Sequence, residues 1–109
     1  MKELDEYQNF TCETAIYPTD MSIIYPALGL AGETGEVADK IKKVYRDNDG
    51  QFGGEHKRVI AKELGDVLWY VANIATDLGY RLSEIAQMNV DKISSRRERN
   101  MIHGEGDER

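Results

Sequence analysis

A chain of 109 residues, 40% apolar and 31% charged, has the length of one domain and the composition of a charge-rich helical protein. Its net charge of −6 argues against a broad nucleic-acid-binding surface, and its single cysteine, Cys12, excludes an intramolecular disulfide and any multi-cysteine metal site. No signal peptide, lipidation motif or long apolar run is visible, so the sequence predicts a single cytoplasmic domain over residues 1–109 that engages no membrane.

Leu4, Tyr7 and Phe10, with Thr11, recur at spacings of three and four and predict a short amphipathic helix over about residues 3–13. The run from Thr14 to Asp20 breaks it, because Pro18 pushes the residue before it toward extended geometry. A second helix is predicted from about Ser22 to Arg46, with Pro26 tolerated in its first turn. Its apolar face would be Ala27, Leu30, Ala31, Val37, Ala38, Ile41, Val44 and Tyr45. Residues 47–54 are a loop by composition. A third helix follows over about 55–78, stopping at Gly79, with Ile60, Leu64, Val67, Leu68, Val71, Ile74, Ala75 and Leu78 as its stripe. The fourth, over about 83–100, carries Ile85, Ala86, Met88, Val90 and Ile93, and residues 101–109 form a glycine-bearing tail. With no strand pattern, the expected architecture is all-α and close to a four-helix bundle.

The polar residues carry more information than the apolar ones. Glu33 and Glu36 stand three residues apart on the second helix, and Glu63 and Asp66 do so on the third, so each pair projects from one face. If the two helices pack together, four carboxylates converge, and such a group needs cations between its charges. At about 100° per residue, Glu33, Glu36, Lys40, Lys43 and Asp47 form one stripe. Glu63, Asp66, Tyr70, Asn73 and Asp77 repeat its offsets, and Asn89, Lys92, Arg96 and Arg99 form a third stripe. Each stripe borders the apolar face, where a carboxylate is half buried and wants a cation, a partner or a proton. The plainer account is a set of solvated flanks with supporting pairs such as Glu36–Lys40, but such flanks ordinarily mix both signs.

Oxygen donors without histidine or cysteine suit Mg²⁺, or Mn²⁺ as a substitute, rather than zinc or copper. A helical di-iron site would need Glu-x-x-His, and neither His56 nor His103 follows a glutamate at that spacing. Metal ions among four carboxylates can activate water and clamp a phosphate, and nearby cations would neutralise the phosphate oxygens. Lys40, Lys43, Lys92 and Arg96 are the candidates for that work, with Tyr70 and Asn89 as hydrogen-bond donors. Gly29, Gly32 and Gly35 each cost a helix interior about 1 kcal/mol against alanine, which points to close helix approach at Gly29 and to either close approach or room for a nucleotide at the other two. No Walker-A pattern follows them. The competing class is a non-catalytic helical oligomerisation or regulatory module with a structural metal site; it explains the amphipathic helices but not the two acidic pairs beside the core.

Glu33-x-x-Glu36, 26 intervening residues, then Glu63-x-x-Asp66 resembles the metal signature of the MazG-like, all-α nucleoside triphosphate pyrophosphohydrolases. The phrases around it fit too: L-G-L-A-G-E-T-G-E-V-A-D-K-I-K-K-V-Y-R-D, K-E-L-G-D-V-L-W-Y-V-A and N-V-D-K-I-S-S-R-R-E-R. The ending H-G-E-G-D-E-R is similar to the tail of short, single-domain, phage-type members, and the resemblance runs from about Tyr7 to Arg109. It implies hydrolysis of (deoxy)nucleoside triphosphates at the α–β phosphate linkage to a monophosphate and pyrophosphate, in nucleotide-pool control or house-cleaning. It also implies that Glu33, Glu36, Glu63 and Asp66 hold Mg²⁺, that Glu36 is the general base, and that Lys43, Lys92 and Arg96 face the phosphates. A homodimer or homotetramer with sites near subunit interfaces is implied as well. Asn100 departs from the family pattern, which has glycine after the position of Arg99, and this bears on the path of the tail rather than on the metal site.

Overall fold

Proline and glycine divide the chain into four helices: α1 (Lys2–Thr14), α2 (Ile24–Asn48), α3 (Gly54–Leu78) and α4 (Leu82–Glu98). Residues 1–108 are described in a computed structural model; Arg109, the last residue of the H-G-E-G-D-E-R ending, lies outside the described residues. The all-α architecture expected from the sequence is what the structure has, and no described residue is in a strand. No helix among the described residues is long and apolar enough to cross a membrane.

The helix ends follow local chemistry. Pro26 sits in the first turn of α2, where its missing N–H has no intrahelical partner to lose. Gly79 takes a left-handed conformation at φ 83° and closes α3, its N–H returning to the last-turn carbonyls. At the start of α4, Asp5 from α1 accepts hydrogen bonds from the Ser83 N–H and hydroxyl at 3.0 and 2.7 Å, satisfying a donor the helix itself leaves open.

The connection from α1 to α2 is the strained part of the backbone. Ile23 has φ 71° and ψ −56°, and the Ile24 N–H reaches the Ser22 carbonyl at 2.8 Å, which together make a γ-turn of the rare positive-φ kind. A β-branched residue adopts this geometry only when its surroundings impose it. Asp77 on α3 does so: its carboxylate accepts from the Ile23 N–H at 2.8 Å and from the Tyr17 hydroxyl at 2.9 Å.

Helices α2 and α3 form an antiparallel hairpin, since Gly29 meets Tyr70, Glu33 meets Asp66, and Val44 shares a wall with Ile60. Gly29 is needed there, because a Cβ at this position would overlap the Tyr70 ring. Helices α1 and α4 pack on α3, near its C-terminal end. A buried polar residue joins these three helices. Gln8 donates to the Thr76 hydroxyl and the Tyr80 carbonyl at 3.0 and 2.9 Å and accepts from the Leu82 N–H at 2.7 Å. The periodicity of α1 pointed to Leu4, Tyr7 and Phe10, with Thr11, as its inner face; the structure buries Thr11, leaves Leu4 and Tyr7 half buried and Phe10 exposed, and buries Gln8, which the periodicity did not pick out. A fully hydrogen-bonded amide can occupy a core position that an apolar count assigns elsewhere.

The apolar core of the chain is thin: Pro26, Val44, Ala72, Ala75 and Leu82 are its buried apolar side chains among the described residues. Of the expected α2 face only Val44 is buried, while Ile41 and Tyr45 are exposed; Leu64 and Leu68 on α3 and Met88, Val90 and Ile93 on α4 are exposed too. The accessible surface is 7712 Å², against about 6,100 Å² for a compact chain of this mass. The radius of gyration is 16.7 Å, against about 13 Å for a compact domain of this length. The helical stripes read from the sequence are real, but one copy of the chain does not cover them.

Candidate active site

Antiparallel pairing sets the acidic signatures of α2 and α3 opposite one another. Glu33, Glu63 and Asp66 each place a carboxylate oxygen within 4.8 Å of the other two. Glu33 and Glu63 are half buried and Asp66 is exposed, so the cluster opens to solvent from the flank of the hairpin. Burial pushes the Glu33 carboxyl above its ordinary value; the Asp66 charge, a carboxyl–carboxyl hydrogen bond with Glu63, and the Glu63 and Glu36 charges add to the shift. Glu36 is therefore near enough to act on Glu33, but it is exposed and stands outside the tight group of three, at its rim.

An all-oxygen donor set of three carboxylates, one with a raised proton affinity, has the chemistry of a site for a hard divalent cation. A cation there would offset the repulsion among the three.

Tyr70 is the nucleotide-binding candidate that the fold brings beside this cluster. Its phenol is shifted upward by burial and by the charges of Tyr25, Glu33 and Asp66, and its ring is set edge-on to Trp69 at 5.0 Å. Tyr7 on α1 borders the same region, since burial and then the Asp66 charge raise its phenol. Sequence reading assigned Tyr7 to the apolar face of α1, and its position one helix away from Asp66 carries no signal in the local spacing.

The basic candidates lie elsewhere. Lys40 and Lys43 continue along α2 toward the loop, seven and ten residues beyond Glu33, a rise of about 10 and 15 Å. Both line a cavity of about 240 Å³ with Val44, Asp47, His56 and Ile60. Lys43 is paired with Asp39 at 2.8 Å. That pair and Lys42 hold the Asp39 carboxyl down at about 2. Asn89, Lys92 and Arg96 line a different cavity of about 520 Å³ on α4, which the tail residues Asp107 and Glu108 also line. Lys92 meets the Asp107 carboxylate at 2.7 Å, and Arg96 is buried with its Nε unpartnered among the described residues. Within one copy of the chain, the cavity of Asn89, Lys92 and Arg96 does not include the acidic cluster.

Comparison with known proteins adds to this geometry. The family model described as MazG nucleotide pyrophosphohydrolase domain matches residues 26–101, which takes in both acidic signatures and the basic stripe of α4. A similar protein is the Gene 37 protein of Mycobacterium phage L5, 43% identical over 112 aligned positions that cover 97% of this chain and 98% of the phage protein. No solved structure matches the chain.

Proposed function

The chain belongs to the MazG nucleotide pyrophosphohydrolase family, and from that membership we propose that it hydrolyses (deoxy)nucleoside triphosphates at the α–β linkage, releasing a monophosphate and pyrophosphate. The observation that carries the reading is the convergence of Glu33, Glu63 and Asp66 from two helices onto one point. These three side chains, with Glu36 at the rim, would hold Mg²⁺, with Mn²⁺ as a substitute. The bound ion supplies charge neutralisation at the phosphates and a lowered pKa for the attacking water.

The chain's own residues do the rest. Glu36 is exposed and outside the group of three, which leaves its carboxylate free to take a proton from water as general base. Tyr70 donates a hydrogen bond toward the phosphates from beside Glu33 and Asp66. Lys40 and Lys43 on α2 and Lys92 and Arg96 on α4 neutralise phosphate oxygens as charge develops on them, and Asn89 donates a hydrogen bond to orient them. The exposed apolar faces of α2, α3 and α4 support assembly into a homodimer or homotetramer. The biological work we assign is nucleotide-pool control or house-cleaning in the cytoplasm. Uncovered faces alone would fit a non-catalytic oligomerisation module, but that reading gives no reason for the carboxylate cluster.

Glu36→Gln and Asp66→Asn test the assignment. Each should abolish turnover while circular dichroism shows an intact helical protein, and retained activity in both variants would overturn it.

A further inference from the structure

The tail after α4 folds back on the helix rather than leaving it. Asn100 takes φ 58°, the Met101 N–H returns to the Arg96 carbonyl and the Asn100 N–H to that of Arg97, which together close α4 in a Schellman motif. Asparagine is among the few residues with a side chain that enter left-handed geometry readily. Gly106, at φ 86°, turns the chain again immediately before Asp107. These turns bring Asp107 onto Lys92 and Arg96, residues 15 and 11 positions back along the chain.

What Asp107 meets there is the cationic cavity of about 520 Å³ on α4. Lys92 donates to its carboxylate at 2.7 Å. A terminal nitrogen of Arg96 donates to the Asp107 main-chain carbonyl and lies 3.6 Å from the carboxylate. The fit is incomplete. Arg96 is only 9% exposed, yet its Nε has no partner among the described residues. A guanidinium presents Nε–H and a terminal N–H side by side, spaced for two oxygens of one oxyanion. The tail engages the terminal nitrogen and leaves the buried Nε donor open, a costly state unless another group takes that place. The contact is also weak: the Asp107 side chain is 73% exposed, and an exposed ion pair shifts an equilibrium by about fivefold at most.

We propose that Asp107 is a built-in competitor for the oxyanion site of Lys92 and Arg96. Its carboxylate stands on the two cations while no anion is bound, and a polyphosphate displaces it by bringing more charge and an oxygen for the Arg96 Nε. The proposal rests on the nucleotide-hydrolysis reading above and adds a regulation of that site. Apparent affinity for the anion falls in proportion to the fraction of molecules in which the tail is away. The tail thus sets the concentration at which the site fills.

Inorganic pyrophosphate is the probe, titrated calorimetrically into the full chain with chelator present, so that no metal at the carboxylate cluster contributes. Asp107→Asn keeps the main-chain carbonyl and gives up only the charge of an exposed side chain; it should bind pyrophosphate about three- to tenfold more tightly than the natural chain. Glu105→Gln removes the same charge from the same tail, outside the cavity walls, and should stay within about twofold. Amide hydrogen exchange supplies a readout that net charge does not move: saturating pyrophosphate should speed exchange in residues 101–108 and leave α4 protected. Weaker binding in Asp107→Asn, with slower exchange in the tail on binding, would overturn the proposal by making the tail a strap that closes on the anion. Unchanged affinity in Asp107→Asn, an equal gain in Glu105→Gln, or no pyrophosphate binding in any of the three proteins would overturn it as well. Because the readout needs no turnover, displacement of the tail without hydrolysis of any nucleotide would refute the reaction and keep the competitor, and hydrolysis with a pyrophosphate affinity indifferent to Asp107 would do the reverse.

Discussion

Replacing Gly29 with alanine probes how closely α2 and α3 approach beside the candidate site. A Cβ there would sit 2.6 Å from Tyr70 Cδ1 and nearer still to Cε1 and Cζ. The ring cannot swing away freely, since it is packed edge-on against Trp69. Overfilling a packed contact costs about 1–3 kcal/mol, and the depth of this overlap points to about 3. Alanine also returns about 1 kcal/mol of helix propensity, so the net loss should be about 2 kcal/mol. Gly32→Ala and Gly35→Ala are the matched controls, because a Cβ at either position meets nothing within 4 Å. Each should gain about 1 kcal/mol from propensity alone. With roughly 4 °C per kcal/mol for a chain of this size, thermal unfolding followed at the helical dichroism band should place Gly29→Ala about 8 °C below the natural chain and each control about 4 °C above it. Equal shifts for all three glycines, or a stabilised Gly29→Ala, would refute the close-approach argument and with it the placement of Tyr70 beside Glu33.

Other expectations follow from the same contacts. Gln8→Leu should lower stability by about 2–4 kcal/mol in chemical denaturation, because it strands the buried Leu82 N–H and the Tyr80 carbonyl; a loss under about 0.5 kcal/mol would show that the amide holds nothing together. Mg²⁺ at millimolar concentration should raise the melting temperature, since a cation bound only by the folded state offsets the repulsion that raises Glu33, and Glu33→Gln should blunt the response; an unchanged curve in the natural chain would contradict the metal assignment. Asp5 is held below its ordinary value, first by the Ser83 hydroxyl, then by the Ser83 N–H, with Arg81 adding to the shift. Folding therefore favours its charged form, so its contribution is present above the ordinary aspartate value and is lost as pH falls through the lowered one. Asp5→Asn should flatten the acid limb of the stability curve, and an unaltered limb would remove Asp5 from the account.

The helices were legible because their signals are local. Pro26 in a first turn and Gly79 after a last one fix boundaries without reference to the rest of the chain. Two acidic pairs on consecutive helices were enough to foresee that carboxylates meet, and Glu33, Glu63 and Asp66 do so. What spacing does not encode is the depth of each group, and Glu36 stands at the rim rather than within the group of three. Gln8 was unreadable for a different reason. Its partners lie on α3, on α4 and between them, and a polar residue gains a core position only when such partners are supplied by the fold. Ile23 likewise owes its positive φ to Asp77, 54 residues away. Periodicity also identifies apolar stripes without saying what covers them, which is why Leu64, Leu68 and Met88 were expected inside and lie exposed in one copy.

The most direct test of the central claim is identification of the products released from standard and modified NTPs and dNTPs, with Mg²⁺ and with chelator. A nucleoside monophosphate and pyrophosphate appearing only with the metal is the predicted result. Orthophosphate and a diphosphate would show that the bond cut is a different one, and no product from any nucleotide would contradict the assignment of hydrolysis to this chain.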